Sequence, residues 1–248
     1  MEKRALNVVI LAAGKGKRLG GTDQKVAHPL CGRPMISFVL ETVRQLLPAR
    51  IIVVVGFLKE QVKQALVGET VTFVEQSRPL GTGDALLRTR PCLNPVGGNI
   101  LVLCGDVPFL TADTLRRLID THNSSGASCT ILTAVVDHPT GYGRILRSAD
   151  GSAIGIVEEL NATPAQKAIR EINTGVYLFR ADRLFGTLER ISPDPVKGEY
   201  YLTDAIALFA ADGEPIATYT TPTPEEAMGI NTPAELEAAE AFLRRRAI

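Results

Sequence analysis

Short, largely apolar runs recur along the chain, at 6–11, 51–55, 71–74, 100–103 and 129–135, set apart by stretches that carry turn residues. A run that is apolar on consecutive positions has no face to give to water, so each of these predicts a strand covered on both sides. Between most of them the apolar period lengthens to that of a helix, at 34–47, 58–66, 83–90 and 111–122. The alternation predicts an α/β, Rossmann-like fold, a mostly parallel and doubly wound sheet with crossover helices. Past Val136 the texture changes. Asp150-Gly151 is a hairpin turn signal flanked by 144–147 and 153–158, and an extended segment follows at 174–179, which together predict antiparallel additions at the sheet's edge. Thr232-Pro233-Ala234-Glu235 supplies an N-cap, a proline at the first helical position and a capping glutamate, opening an amphipathic helix through Arg246.

Lys+Arg and Asp+Glu both number 27, so the formal charge is zero and there is no bulk attraction for nucleic acid or an anionic membrane. No apolar run approaches the ~18 residues of a membrane span. Glu2-Lys3-Arg4 followed by an apolar stretch imitates a secretory leader, but Val8, Val9 and Ile10 are β-branched and the stretch flows into a glycine-rich loop, so it reads as a buried first strand. Cys31, Cys92, Cys104 and Cys129 form no C-x-x-C pair, and His28, His122 and His138 show no triad or metal spacing. Free thiols in a reducing, cytoplasmic setting are expected.

The segment after the first run, Leu11-Ala12-Ala13-Gly14-Lys15-Gly16-Lys17-Arg18-Leu19-Gly20, carries the most chemistry. It fails the dinucleotide fingerprint, because position 19 is leucine, and it fails the P-loop, because Gly16-Lys17 is followed by Arg18. A flexible backbone remains, its N–H groups free to approach phosphate oxygens, with Lys15, Lys17, Arg18 and Lys25 close by in a neutral chain. At the carboxyl end of a strand that density of cations points to a polyphosphate site. Gly105-Asp106 follows another strand and faces the same crevice, where one carboxylate and one amide partner would suffice for Mg²⁺.

Leu11 to Arg18 followed by Lys25 resembles the L-A-A-G-x-G-T-R…P-K signature of sugar-1-phosphate nucleotidyltransferases. Gly81-Thr82-Gly83, Leu103-Cys104-Gly105-Asp106-Val107-Pro108, Gly141-Tyr142-Gly143-Arg144-Ile145, Glu171-Ile172-Asn173-Thr174-Gly175, Gly198-Glu199-Tyr200-Tyr201-Leu202-Thr203-Asp204 and Gly229-Ile230-Asn231 follow in order. They narrow the likeness to the uridylyltransferase domain of bacterial bifunctional N-acetylglucosamine-1-phosphate uridylyltransferase/glucosamine-1-phosphate acetyltransferases, across about residues 6–237.

The resemblance implies a nucleotide-diphospho-sugar transferase fold and transfer of a uridylyl group from UTP to N-acetylglucosamine 1-phosphate, with Mg²⁺ as cofactor. It implies Arg18 and Lys25 as catalytic residues, Asp106 and Asn231 as metal ligands, and Leu11, Ala12, Ala13, Gly14, Lys15, Gly16, Gln76, Gly81 and Thr82 against the nucleotide. Gly143, Glu158, Asn173, Tyr201 and Thr203 would contact the sugar or its phosphate. One domain over 1–248 is expected, with a sugar-side lobe over roughly 137–205. No hexapeptide repeat is present, so the family's β-helix, its acetyl transfer and its trimer contacts are expected to be missing, leaving a monomer or weak oligomer. Lys17, Gln24 and Pro79 stand where the family pattern has threonine, proline and a second glutamine, Asp84 where it has histidine, and Glu159-Leu160-Asn161-Ala162-Thr163 where Lys-Asp-Ala-Thr is common. They bear on nucleobase and sugar selectivity, not on reaction class. Two other readings stay open: the same mechanism with dTTP, GTP or another hexose 1-phosphate, and a module that binds a sugar nucleotide or a partner protein without turnover.

Overall fold

Nine strands hydrogen-bond into one sheet in the computed structural model, which describes residues 4–14, 23–93 and 98–246. The first half of the chain alternates as its apolar runs imply: β1 (Leu6–Ala12), a small ribbon of β2 (Pro29–Leu30) and β3 (Arg33–Pro34), α1 (Met35–Arg44), β4 (Arg50–Val55), α2 (Lys59–Ala65) and β5 (Thr72–Glu75). Next come α3 (Thr82–Leu87), α4 (Arg90–Leu93), β6 (Asn99–Cys104), α5 (Ala112–Ser125) and β7 (Cys129–Val135). The helix expected over 83–90 thus breaks into α3 and α4, since Pro91 lacks the N–H that a continuous helix would bond to the Leu87 carbonyl and is tolerated in the first turn of α4. The hairpin signal is realised as β8 (Arg144–Arg147) and β9 (Ala153–Val157). The chain continues through α6 (Pro164–Lys167), β10 (Glu171–Arg180), α7 (Ala181–Leu188), α8 (Asp204–Ala211), β11 (Ile216–Thr220) and α9 (Pro233–Arg246).

The main path of the sheet runs β11-β7-β10-β6-β1-β4-β5, with β8 paired to β10 and β9 to β8. β6, β1, β4 and β5 are parallel to one another, and β11 is parallel to β7. The sheet is therefore mixed and mostly parallel. One expectation needs correction: the extended segment near 174–179 is no edge addition, because β10 lies inside the sheet, antiparallel to both β6 and β7. Its own composition explains the place. Val176, Tyr177, Leu178 and Phe179 are buried in succession, and a strand apolar on both faces needs cover on both, which an interior slot between layers of helix provides.

Those layers divide the core in two. Val8, Ile10 and Ala12 of β1 face α1 through Ile36, Val39, Leu40 and Val43, and face α5 through Leu115 and Leu118. Val9, with Ile52, Val54, Ile100 and Val102, faces Leu86 of α3, Leu184 and Leu188 of α7 and Phe209 of α8. A third, smaller cluster docks α9, through Leu236, Ala239, Phe242 and Leu243, onto Leu30, Met35 and Phe109. None of the described helices is long and apolar enough to cross a membrane.

The site follows from strand order. β4 lies on one side of β1 and β6 on the other, so the chain's path reverses at the β1/β6 boundary, where open α/β sheets hold ligands at the carboxyl ends of the strands. Leu11 is in register with Cys104, and the Gly105 N–H donates to the Leu11 carbonyl at 3.0 Å, so both loops leave the sheet side by side. β10 enters from the opposite direction. Its first half, carrying Asn173, therefore lies beyond the carboxyl end of β6, in the same crevice.

Candidate active site

A cleft of about 660 Å³ opens at this boundary, lined by Leu11, Ala12, Ala13 and Gly14 from the end of β1 and by Lys25, Cys104, Asp106 and Asn231 around them. Lys15, Gly16, Lys17 and Arg18 lie outside the described residues. The neck of their loop is held by Gln24, which is buried. Its Nε2 donates to the carbonyls of Ala12 at 2.9 Å and Gly14 at 2.8 Å, while its Oε1 accepts from the Val26 N–H at 2.9 Å. The residue that departs from the family's proline is thus a strap. It joins the two ends of the glycine loop and caps the single turn that presents Lys25.

Lys25, Asp106 and Asn231 meet at the mouth of the strap. The Lys25 ammonium forms an ion pair with Asp106 Oδ2 and donates to Asn231 Oδ1 at 2.7 Å. Asn231 is placed by the capping sequence read above, because Glu235 Oε2 accepts from the backbone N–H groups of Asn231 at 2.6 Å and Thr232 at 2.9 Å. The Thr232 hydroxyl accepts in return from the Glu235 N–H at 3.2 Å, and the Ile230 N–H donates to the Asp106 carbonyl at 3.0 Å. One carboxylate oxygen and one amide oxygen therefore converge on a single positive centre. That donor set suits Mg²⁺, which takes one or two protein oxygens and fills its shell with phosphate and water. It does not suit zinc, and no cluster of three or more His, Cys, Asp or Glu able to hold a metal exists among the described residues.

Cys104, on the cleft wall, and His122 are both held neutral. Burial, with the Asp106 charge next, pushes the Cys104 thiol up to about 12, so it stays protonated. Burial holds His122 down at about 4, with Nδ1 2.8 Å from the Thr130 hydroxyl, which makes it a neutral core histidine.

Opposite the ion pair stand Gln76, Pro79, Gly81 and Thr82. Gly81 adopts φ +97°, and a Cβ there would lie 2.5 Å from the Tyr200 carbonyl oxygen and 2.8 Å from its nitrogen. The close approach is fixed on both sides, by the Gly83 N–H to the Tyr200 carbonyl at 2.8 Å and the Tyr200 N–H to the Leu80 carbonyl at 2.7 Å. Gly81→Ala should therefore cost at least about 2 kcal/mol in urea unfolding, by backbone strain and steric overlap together. An unchanged midpoint would show that the turn can open freely. Thr82 begins α3 and does not cap it; its hydroxyl accepts from the Leu202 N–H at 3.0 Å, a second tie to the Tyr200-Tyr201 strip.

The sugar-side candidates gather at the far end. Thr203 donates from its hydroxyl to Glu158 Oε1 at 3.0 Å, and the Asn173 N–H donates to the Gly143 carbonyl at 2.8 Å. Burial raises the Glu158 carboxyl, partly offset by the Thr203 hydrogen bond. Glu158 and Tyr201 line a second hollow of about 310 Å³, and Tyr201 also lines the main cleft, so this ring forms the partition between the two. Gly143, Asn173 and Thr203 border neither hollow directly; they brace its walls.

Sequence reasoning passed over several residues at the site. Lys197 and Glu199 line the main cleft from the segment before α8, and a lysine two residues before the Glu199-Tyr200-Tyr201 motif was a signal that could have been read. Arg144, almost wholly buried, pairs with Glu159 Oε2 at 2.6 Å and donates to the Tyr142 carbonyl, while Glu159 also accepts from the Gly141 N–H at 3.3 Å. The departure at Glu159 thereby pins the Gly141-Tyr142-Gly143 turn.

A family model described as the MobA-like NTP transferase domain matches residues 8–191. Among curated proteins, the bifunctional protein GlmU of Pelotomaculum thermopropionicum is 44% identical over 243 residues, covering 98% of this chain and 53% of that protein. The bifunctional protein GlmU of Exiguobacterium sibiricum is 45% identical over 238 residues, covering 96% and 53%. The chain spans about half the length of the curated relatives it matches. A solved structure of a Bacillus anthracis protein named as a glucose-1-phosphate thymidylyltransferase, in complex with a sucrose, aligns at a TM-score of 0.79 and 21% identity, covering 97% of this chain and 96% of that one, which shows a common fold. With the domain match reaching from β1 into the segment after α7, and with the crevice at the β1/β6 boundary built as described, the chain belongs to the MobA-like NTP transferase domain family.

Proposed function

We propose that the chain transfers a uridylyl group from UTP to N-acetylglucosamine 1-phosphate, giving UDP-N-acetylglucosamine and pyrophosphate. The observation that carries this is the convergence of Lys25, Asp106 and Asn231 at the carboxyl ends of β1 and β6, across one cleft from the Gln76 and Gly81 turn. The motifs shared with the uridylyltransferase family, and 41–45% identity to proteins named bifunctional protein GlmU, support the choice of donor and acceptor.

A sugar phosphate oxygen attacks the α-phosphorus in line, a new P–O bond forms, the bond to the β-phosphate bridging oxygen breaks, and pyrophosphate leaves with that oxygen. Both reactants are anions, so the barrier falls mainly through alignment and charge neutralisation. Asp106 and Asn231 would hold Mg²⁺, which supplies charge neutralisation at the triphosphate when bound. Lys25 holds phosphate at the reacting centre, and the Ala12 to Gly14 backbone, clamped by Gln24, sets the floor on which the triphosphate lies. Arg18 takes the transferring and leaving phosphates in the family pattern. Tyr201 orients the sugar where the two hollows meet, with Glu158, Asn173, Thr203 and Gly143 behind it. Within this reading the chain is a catalytic domain whose sugar-side lobe covers roughly 137–205 and which acts on small molecules. Its four free cysteines accord with a cytoplasmic location.

Pyrophosphate release with N-acetylglucosamine 1-phosphate and a panel of UTP, dTTP, CTP, ATP and GTP tests the assignment. UTP should give the highest kcat/KM. dTTP should do better than with relatives that carry a second glutamine, because Pro79 offers no side-chain hydrogen bond to the base. A purine triphosphate as best substrate would sink the uridylyl reading.

A further inference from the structure

Gln76 and Asp84 are both buried at the edge of the cleft, and Gln76 reaches its lining. The two protons of the Gln76 carboxamide are spoken for: Nε2 donates to the Gly81 carbonyl at 2.9 Å and to Asp84 Oδ2 at 2.8 Å. A carbonyl and a carboxylate can only accept, so the chemistry of these partners dictates which end of the amide faces them. Turning the amide over would lose both bonds and set three oxygens against one another. Arg88 grips the other oxygen of Asp84, Oδ1, with Nε at 3.2 Å and Nη2 at 3.0 Å, which leaves Oδ2 to Gln76 alone. Gln76 Oε1 is then the end left over, with no hydrogen bond to any described residue.

We propose that Asp84, braced by Arg88, is a positioning residue that fixes Gln76 as a hydrogen-bond acceptor toward the cleft and so selects a nucleobase with a ring N–H opposite it. This rests on the reading that the cleft takes UTP. Uracil and thymine carry N3–H on that edge, where cytosine carries an unprotonated N3. Oxygen facing nitrogen lone pair leaves both groups without a partner, and the wrong base is refused through that loss. A glutamine free to turn would meet either base equally well. The discrimination therefore resides in a carboxylate that need not touch the nucleotide.

The ratio of kcat/KM for UTP to that for CTP reads this directly, because a general loss of packing lowers both together. In Asp84→Ala the ratio should fall at least about tenfold, and calorimetric titration with UTP and CTP should show the affinities drawing closer. Arg88→Met keeps Asp84 and should lower the ratio less. Should Asp84→Ala fail to fold, Asp84→Asn serves, since an amide at 84 accepts from or donates to either orientation of Gln76; the ratio should fall in the same direction. A wild type selective for UTP whose folded position-84 variants keep the ratio would overturn the role while leaving the uridylyl reading intact. A wild type indifferent between UTP and CTP would overturn both.

Discussion

Asp106→Asn is expected to lower kcat about 100-fold or more, with the unfolding midpoint close to that of the parent. The substitution keeps the size of the side chain and leaves the backbone bond from the Ile230 N–H untouched. What it removes is the negative charge that pairs with Lys25 and the carboxylate proposed to hold Mg²⁺. Both losses act where charge builds up during transfer, so the effect belongs in kcat and should resist rescue by more nucleotide. Steady-state rates measured across a Mg²⁺ titration, beside a thermal melt, check it. Turnover near that of the parent at ordinary Mg²⁺ would remove Asp106 from the site.

Lys25→Ala should lose at least ~2.7 kcal/mol of transition-state stabilisation, roughly 100-fold in rate. The Lys25 side chain is only 12% exposed, and its ammonium lies on the two side-chain oxygens proposed to take Mg²⁺, so metal binding would free it to turn to phosphate within the same crevice. Lys25→Arg keeps the charge but spreads it over a planar fork that cannot replace a compact ammonium between two oxygens, and should recover only part of the rate. Arg18→Ala should be as damaging by family pattern, and Lys15→Ala milder. Single-turnover kinetics, which separate binding from transfer, would place the loss. If Lys15→Ala proved worse than Lys25→Ala, the proposed orientation of the triphosphate would be wrong.

Much of this arrangement is legible before any coordinates. The runs at 6–11, 51–55, 71–74, 100–103 and 129–135 become β1, β4, β5, β6 and β7 with ends shifted by a residue at most; β1, β4, β6 and β7 are doubly covered and write their burial along the strand, whereas β5 is an edge strand with no buried residue, against the expectation of cover on both sides. The Thr232 and Glu235 cap is equally local, with Asn231, Thr232 and Glu235 bonding among themselves. The interior place of β10 is another matter. Its residues announce a strand, but which neighbours it takes depends on β6 and β7, far away in sequence, and on the crossovers that bring them there. α7, α8 and β11 are short elements whose apolar positions give too few turns or alternations to stand out. The same division holds at the site. Gly81 and Asp106 can be picked from their motifs, whereas Gln24 as a strap and Asp84 as a lock are visible only once their partners are placed through space.

Lys25 and Asn231 are separated by 206 positions along the chain, and β10 wedges between two strands that precede it. During synthesis the parallel set β1, β4, β5 and β6 leaves the ribosome first, with one side of β6 bare until residue 180 has followed. An open edge of that kind pairs readily with another chain, so the interval is when self-association is most probable. The reacting centre closes later still, since Asn231 is held by Glu235. A nascent polypeptide thus completes its sheet with β11, at Thr220, before it gains Asn231 and the Glu235 that holds it, and one cut short between the two is born inert.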